Sequence, residues 1–182
     1  MKEHIPVMLN EVLAAINEPE QVKIIVDATL GLGGHSGALL NICKDAMLFG
    51  FDQDADAREK AAENLARFDG RFQIFAENFR NLRRLKSTKG FHKADVILFD
   101  LGVSNLQLTE SERGFSFQYD GPLDMRMDAD ANIRTARDIL ENSSVAELTK
   151  IFRDFGEERY AYRIALGIVR NRETGGVLNT TG

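Results

Sequence analysis

The sequence predicts an α/β fold built on a parallel sheet, followed by a smaller helical region. Three observations predict it. An apolar run, Val22 to Val26, leads through Asp27 into Thr29-Leu30-Gly31-Leu32-Gly33-Gly34 and then into a helical pattern that includes Ala38, Leu39, Leu40 and Ile42. A second apolar run, Met47 to Phe51, ends in Asp52, 25 residues after Asp27. A third, in the strand Ala94-Asp95-Val96-Ile97-Leu98-Phe99-Asp100 (the fourth in chain order), ends in Asp100. Repeated strand–turn–helix units of this kind set strands side by side in parallel and bring their carboxyl ends to one edge, where ligands bind.

The chain opens on an extended segment, His4 to Leu9. Asn10 then precedes Glu11, Val12, Leu13 and Ile16, an amphipathic helix that Pro19 closes. The first strand is Val22–Asp27. In the turn after it, Gly31, Gly33 and Gly34 can take φ > 0 and let a ligand approach bare backbone. The first amides of the next helix, which ends near Lys44, are unpaired and point into that space. The dinucleotide spacing G-x-G-x-x-G is not met, because Gly31 and Gly33 are followed by Ser36. Asp27 also sets a negative charge where a pyrophosphate would lie. A cationic nucleoside without phosphates fits better, and S-adenosylmethionine is such a cofactor.

Asp52 closes the second strand, the place from which an acid grips ribose hydroxyls. Asp54 suits the N-cap of a helix over Ala55 to Phe68, with Ala57, Ala61, Leu65 and Phe68 on one face. Arg71–Ala76 reads as a third strand. Phe79, just beyond its carboxyl end, is a candidate wall for an adenine ring. Arg80, Arg83, Arg84, Lys86, Lys89 and Lys93 form a basic run with Leu82 and Leu85 opposite. Such a run is by default a solvated helix face, with phosphate contact as the alternative.

The continuous apolar character of the fourth strand predicts cover on both faces, as in the middle of a parallel sheet. It brings Asp100 beside the first strand, so Asp27, Asp52 and Asp100 are expected to converge on one crevice. Leu101 to Asp130 shows little periodicity and is expected to fold over that crevice as a loop. Thr135 then suits the cap of a helix to Glu141, and Ser144-x-x-Glu147 is a capping box opening Val145 to Phe155. Gly156 breaks the pattern before a helix over Glu157 to Asn171. Gly175-Gly176 is a turn, and Thr180-Thr181 begins a further element. Three regions result: a cofactor-binding core over 1–103, a substrate-side loop over 104–131 and a helical subdomain over 132–182.

Composition sets the outer bounds. With 182 residues, 43% of them apolar, the chain supports one packed domain, or one domain with a small appendage. Its net charge of −5 does not mark the whole chain as a nucleic-acid binder, so any RNA contact must come from a local basic patch. Cys43 is the only cysteine and sits in an apolar helical pattern, which predicts a buried thiol and excludes an intrachain disulfide. Three histidines and one cysteine give no metal-ligand spacing. No signal peptide and no apolar run of membrane-spanning length is present, which predicts a cytoplasmic protein.

Several blocks along the chain resemble one family. They are His4-x-Pro6-Val7 with Glu11, Asp27-x-Thr29-x-Gly31-x-Gly33-Gly34-His35-Ser36, Asp52-x-Asp54, and Asp100-Leu101-Gly102-Val103-Ser104 with Gln107-Leu108. Further on come Arg113-Gly114-Phe115-Ser116-Phe117, Asp120-Gly121-Pro122-Leu123-Asp124-Met125-Arg126-Met127 and Gly156-Glu157-Glu158-Arg159. Together they are similar to the bacterial small-subunit ribosomal RNA (cytosine-N(4)-)-methyltransferases, the RsmH or MraW family. The glycine and first-acid motifs are generic to methyltransferases; the Arg113 and Asp120 blocks are specific.

The resemblance implies a Rossmann-like S-adenosylmethionine methyltransferase core with an inserted helical subdomain. It implies cofactor contacts at Gly33, Gly34, His35, Asp52, Phe79, Asp100 and Gln107. The implied substrate is a cytidine of small-subunit ribosomal RNA, methylated on its exocyclic amine, with no metal required. That amine is a weak nucleophile, because its lone pair is delocalised into the ring. Catalysis would rest on positioning and on an acceptor for the amine's hydrogen bond, for which Asp100 is the candidate. Arg113, Arg126 and the Arg80–Lys93 run are candidate RNA contacts, with Arg113 and Arg126 alternatively pinning the loop to acidic neighbours.

This chain departs from the family at Asn105-Leu106, where Ser-Pro or Ser-Met is usual. It also lacks the Ser-Phe-His-Ser-Leu-Glu-Asp-Arg block of the family's later part. The expectation is therefore an N-terminal portion of the enzyme, acting as the methyltransferase or as a cofactor- and RNA-binding module beside a partner chain. The Asp95–Phe99 strand would then be a sheet edge open to self-association.

Overall fold

The computed structural model describes residues 5–128, 133–176 and 178–180. The chain divides into two compact units, Met1–Gly102 and Val103–Gly182.

The first unit is an open parallel sheet with helices on both faces. Its strands are β1 (Ile24–Asp27), β2 (Met47–Asp52), β3 (Phe72–Ala76) and β4 (Val96–Leu98). They run in the order β3-β2-β1-β4, every neighbouring pair parallel. β1 is therefore interior, which is why Ile25 and Val26 are almost wholly buried. Alternate residues serve opposite faces. Ile25 and Leu48 join Leu39 and Leu40 of α2 (Gly34–Ile42) and Ala61 and Leu65 of α3 (Ala55–Leu65). Val26, Phe49 and Phe51 join Phe91 and Leu85, the latter from α4 (Leu82–Lys89). Cys43 is a buried free thiol at the end of α2.

Each helix start has a local cause. The Asp54 carboxylate caps α3 by accepting the amides of Asp56 and Ala57, as its sequence position predicts. α2 starts at Gly33 with φ 78°, a conformation glycine takes without strain. The first helix, α1 (Leu9–Ala14), starts two residues before the expected Glu11, from Met8 at φ 51°. At the amino edge of the sheet, Asp95 Oδ2 accepts the backbone amides of Lys23 and Ile24 at 2.8 and 2.9 Å. One carboxylate so ties the start of β4 to the start of β1.

The fourth strand corrects one expectation. It lies beside β1 and at the edge of the sheet, both as anticipated, but without the cover on both faces that its apolar run predicts, since Ile97 and Phe99 are about half exposed. An apolar run of this length cannot distinguish an interior strand from an edge strand, because hydrophobicity reports burial potential and not neighbours.

The second unit is helical. Within the stretch expected to be a loop, Asn105–Thr109 forms the short helix α5 and Ser111–Arg113 a 3₁₀ turn. α6 (Ala136–Asn142) and α7 (Val145–Asp154) both start on complete capping boxes, Thr135 with Asp138 and Ser144 with Glu147. α8 spans Ala161–Glu173 and starts four residues later than expected. Gly156 and Glu157, the latter at φ 50°, turn the chain back first. Leu148, Ala161 and Ala165 are buried where α7 and α8 pack. Arg172 donates to the Leu140 carbonyl at 2.6 Å, fixing α8 to α6. The element expected at Thr180-Thr181 lies in part outside the described residues; Thr180 itself donates to the Tyr119 carbonyl.

Candidate functional site

The carboxyl ends of β1, β2 and β4 carry the residues that matter. After β1 the chain turns through Gly31 (φ 51°) and Gly33 (φ 78°) into α2. Added methyl groups at these two positions would be strained whatever the space, so the turn demands glycine. Asp52, at the end of β2, holds the turn: its Oδ2 accepts the Gly31 amide at 2.9 Å, and its Oδ1 accepts the Asp54 amide at 2.9 Å. A carboxylate has about four acceptor positions. Asp52 is half-buried and retains capacity for hydroxyl donors on its open side. From α3, Asn64 Nδ2 donates to the Leu32 carbonyl at 2.9 Å and steadies the turn from the other flank.

Asp27 is placed differently from expectation. Its side chain is only 1% exposed, beneath the turn rather than facing the crevice. Oδ2 accepts the Ser36 hydroxyl at 2.6 Å and Oδ1 the Thr29 amide at 3.1 Å. Burial pushes the carboxyl up to about 6, against the opposing pull of those hydrogen bonds and of His35. The expected convergence of three carboxylates is therefore not met by Asp27, which is buried; Asp52 and Asp100 stand at the ends of β2 and β4, the strands on either side of β1. An acid one turn before a glycine loop can anchor the loop as readily as face its ligand, and spacing does not separate the two.

Asp100 follows β4 and is exposed. Its backbone amide donates to Thr29 Oγ1 at 2.7 Å. Its Oδ2 lies 3.8 Å from Nδ1 of His35. The His35 ring is nearly buried, and its Nε2 lies 2.9 Å from the Val7 carbonyl. A carbonyl only accepts, so Nε2 carries the proton in that contact. The N-terminal segment thus reaches the turn through Val7, and Pro6 packs on Gly34 so closely that a Cβ there would stand 2.6 Å from its Cγ. Gly33, Gly34 and His35 therefore form the entry to α2 with the N-terminal segment on one side.

Phe79 opens a 3₁₀ turn (Phe79–Asn81) after β3 and is 39% exposed. Its ring meets that of Phe99 edge to face, with centroids 5.8 Å apart. Two exposed aromatic rings beside Asp100 make an apolar wall at the sheet's carboxyl edge.

The remaining expected residues belong to the second unit. Gln107 is buried, and its Oε1 accepts the Ser104 amide while Ser104 Oγ accepts the Gln107 amide, capping α5. Its Nε2 contacts Met127 Sδ at 3.4 Å. Arg113 is buried and donates through Nη2 to the carbonyls of Arg126 and Met127. Arg126 forms a forked ion pair with Asp124, 2.6 Å at its shortest, which holds the Asp124 carboxyl below its ordinary value. Arg126 thus pairs with an acidic neighbour, and Arg113 holds two backbone carbonyls, within the Asp120–Met127 block.

Thr29, Val7 and Phe99 are the residues that sequence reasoning did not single out for the site. Thr29 had a signal in the Asp27-x-Thr29 spacing. Val7 acts through its carbonyl, which no side-chain pattern reports. Among the described residues, no group of three or more His, Cys, Asp or Glu could hold a metal ion, and no helix is long and apolar enough to cross a membrane.

A parallel sheet with a glycine turn and an acid at neighbouring strand ends defines an α/β protein of the Rossmann-like class. Its particular family is clear from the whole sequence. The MraW methylase family matches residues 1–182, and this chain belongs to it. It is 48% identical over 170 residues to the Ribosomal RNA small subunit methyltransferase H of Carboxydothermus hydrogenoformans, covering 93% of this chain and 54% of that protein. The protein of the same name from Thermobifida fusca is 46% identical, with 93% and 52% covered. That from Mesoplasma florum is 41% identical, with 100% and 57% covered. The chain spans about half the length of the curated relatives it matches. Among solved structures it is similar to a putative rRNA-methylase from Clostridium thermocellum, at 21% identity and a TM-score of 0.43, over 56% of this chain and 54% of that one.

Proposed function

We propose that this chain binds S-adenosylmethionine at the carboxyl edge of its sheet and serves methyl transfer to the exocyclic N(4) amine of a cytidine in small-subunit ribosomal RNA. One observation carries the cofactor reading: Asp52 clamps the Gly31 amide while keeping acceptor capacity on its open side. The site fits a phosphate-free nucleoside. A Cβ built at Gly31 would meet only the Thr29 carbonyl, at 3.9 Å, so the turn is open there. Two half-open carboxylates suit hydroxyls and a cation, and repel phosphates.

Asp52 would take the ribose hydroxyls, Phe79 would flank the adenine, and Gly33, Gly34 and His35 would lie along the cofactor. Bound S-adenosylmethionine would supply a methyl group made electrophilic by its sulfonium. Asp100, fixed through its own backbone by Thr29, would accept a hydrogen bond from the cytosine amine and hold it in line. As positive charge grows on that nitrogen, the carboxylate would stabilise it without reorganising. Gln107, capping α5 from within the second unit, is retained as a cofactor contact on the family resemblance alone. The names of the relatives and family membership support the RNA substrate.

Calorimetry with S-adenosylmethionine tests the cofactor step. Wild type should release heat on binding, and Asp52→Ala should weaken binding at least tenfold. No heat with wild type, or no change in Asp52→Ala, would sink the reading. Incubation with methyl-labelled cofactor and small ribosomal subunits then separates an enzyme, which labels RNA, from a module that binds without transfer.

A further inference from the structure

We infer that the solvent face of α4, with the turn that precedes it, is the surface along which the RNA phosphate backbone runs toward the site. This rests on the reading that the substrate is RNA. The chain as a whole is acidic, at −5, yet between Phe79 and Ala94 it holds six cations and no acid. Arg80, Arg83, Arg84, Lys86 and Lys93 are all exposed. Among the described residues, only Arg84 of these five has a carboxylate partner, Glu77 at 3.5 Å, and its side chain is still 68% exposed.

An unneutralised basic face on an acidic protein is an electrostatic footprint for a polyanion. Its position gives it a use. The 3₁₀ turn of Phe79–Asn81 joins α4 directly to the strand-end edge, where the exposed Phe79 and Phe99 rings stand beside Asp100. A phosphate chain held on α4 would feed an unstacked base toward aromatic rings and an acceptor, the combination that single-stranded nucleic acid requires.

The competing partner for a basic amphipathic helix is an anionic membrane, which needs an apolar face to insert. α4 has none to offer. Leu85 is buried and Leu82 packs against the same cluster, with Val26, Phe49 and Phe51.

The test is fluorescence anisotropy of a labelled single-stranded RNA oligonucleotide across a salt series. The triple variant Arg83→Gln, Arg84→Gln, Lys86→Gln should bind at least tenfold more weakly than wild type. Its log Kd against log salt should lose a slope of about 2, from three phosphate contacts at ~0.7 each. The control Lys150→Gln, Arg153→Gln, Arg170→Gln, from the exposed faces of α7 and α8, should keep wild-type affinity. An equal loss in the control, an unchanged slope, or no RNA binding by wild type would overturn the inference. So would loss of binding to phosphatidylserine vesicles with RNA affinity intact. Calorimetry with S-adenosylmethionine, run on the same triple variant, should be unchanged; failure of the cofactor reading shows there and not in the salt series.

Discussion

Thr29 Oγ1 accepts the backbone amide of Asp100 at 2.7 Å, joining the turn after β1 to the end of β4 across 71 residues of sequence. The same threonine donates its own amide to the buried Asp27. The glycine turn and the candidate acceptor are thus positioned by one residue.

Replacing Thr29 with valine keeps the shape and removes the acceptor. The Asp100 amide then loses its partner, at a cost of about 1 kcal/mol. Thr29→Val should weaken S-adenosylmethionine binding by about fivefold and lower the melting temperature slightly, while Thr29→Ser should restore both. Calorimetry beside a thermal melt reads the two effects; equal affinity in all three proteins would remove Thr29 from the site.

Asp27 gives a pH dependence with a definite sign. Its folded value, about 6, lies above its ordinary 3.8. Below about pH 4 the carboxyl is protonated in both states and costs nothing. Between about 4 and 6 the unfolded chain releases a proton that the folded chain keeps, so stability falls as pH rises. Above 6 the deficit levels off, at roughly 3 kcal/mol from the size of the shift. Asp27→Asn can still accept from the Thr29 amide, and its amide group can donate to the Ser36 hydroxyl. Urea unfolding at pH 4.5 and 7 should show wild type losing stability relative to Asp27→Asn. Parallel curves would contradict the buried, raised carboxyl.

Arg113 is a test of structure against substrate contact. Its guanidinium is buried and donates to two carbonyls of the Arg126–Met127 segment. Arg113→Ala strands both acceptors and should cost about 2–3 kcal/mol of stability. Lysine should recover little, because it lacks the planar fork. A variant that melts like wild type but loses RNA affinity would assign the residue to phosphate contact instead.

The open edge of β4 bears on association. Ile97 is 55% exposed on a strand that, among the described residues, pairs on one side only. Such an edge pairs with other chains unless charged or covered. Sedimentation should show self-association of this chain, relieved by Ile97→Lys. A monodisperse wild-type monomer would contradict it.

Much of the fold was legible because local chemistry and periodicity specify it. The Asp54 cap, the two capping boxes, the inward Ala57–Ala61–Leu65 stripe and the acids at the strand ends all lie within a few residues of what they control. The helix α5 was not legible, because five residues carry too little periodicity. The start of α8 was misplaced, because Glu157 adopts φ 50° without a glycine to announce it.

The sequence by itself determined the parallel α/β core, the glycine turn, the acids at the ends of three of the four strands and the family. Only the tertiary structure decided that Asp27 lies beneath the turn, that Asp52 grips Gly31, that Thr29 and His35 attend Asp100, and that Arg113 faces inward. The physical reason is range. A cap or a stripe is written in neighbouring residues, whereas the surroundings of a carboxylate or guanidinium are set by chain segments tens of residues away, and burial and partners exist only once those segments meet.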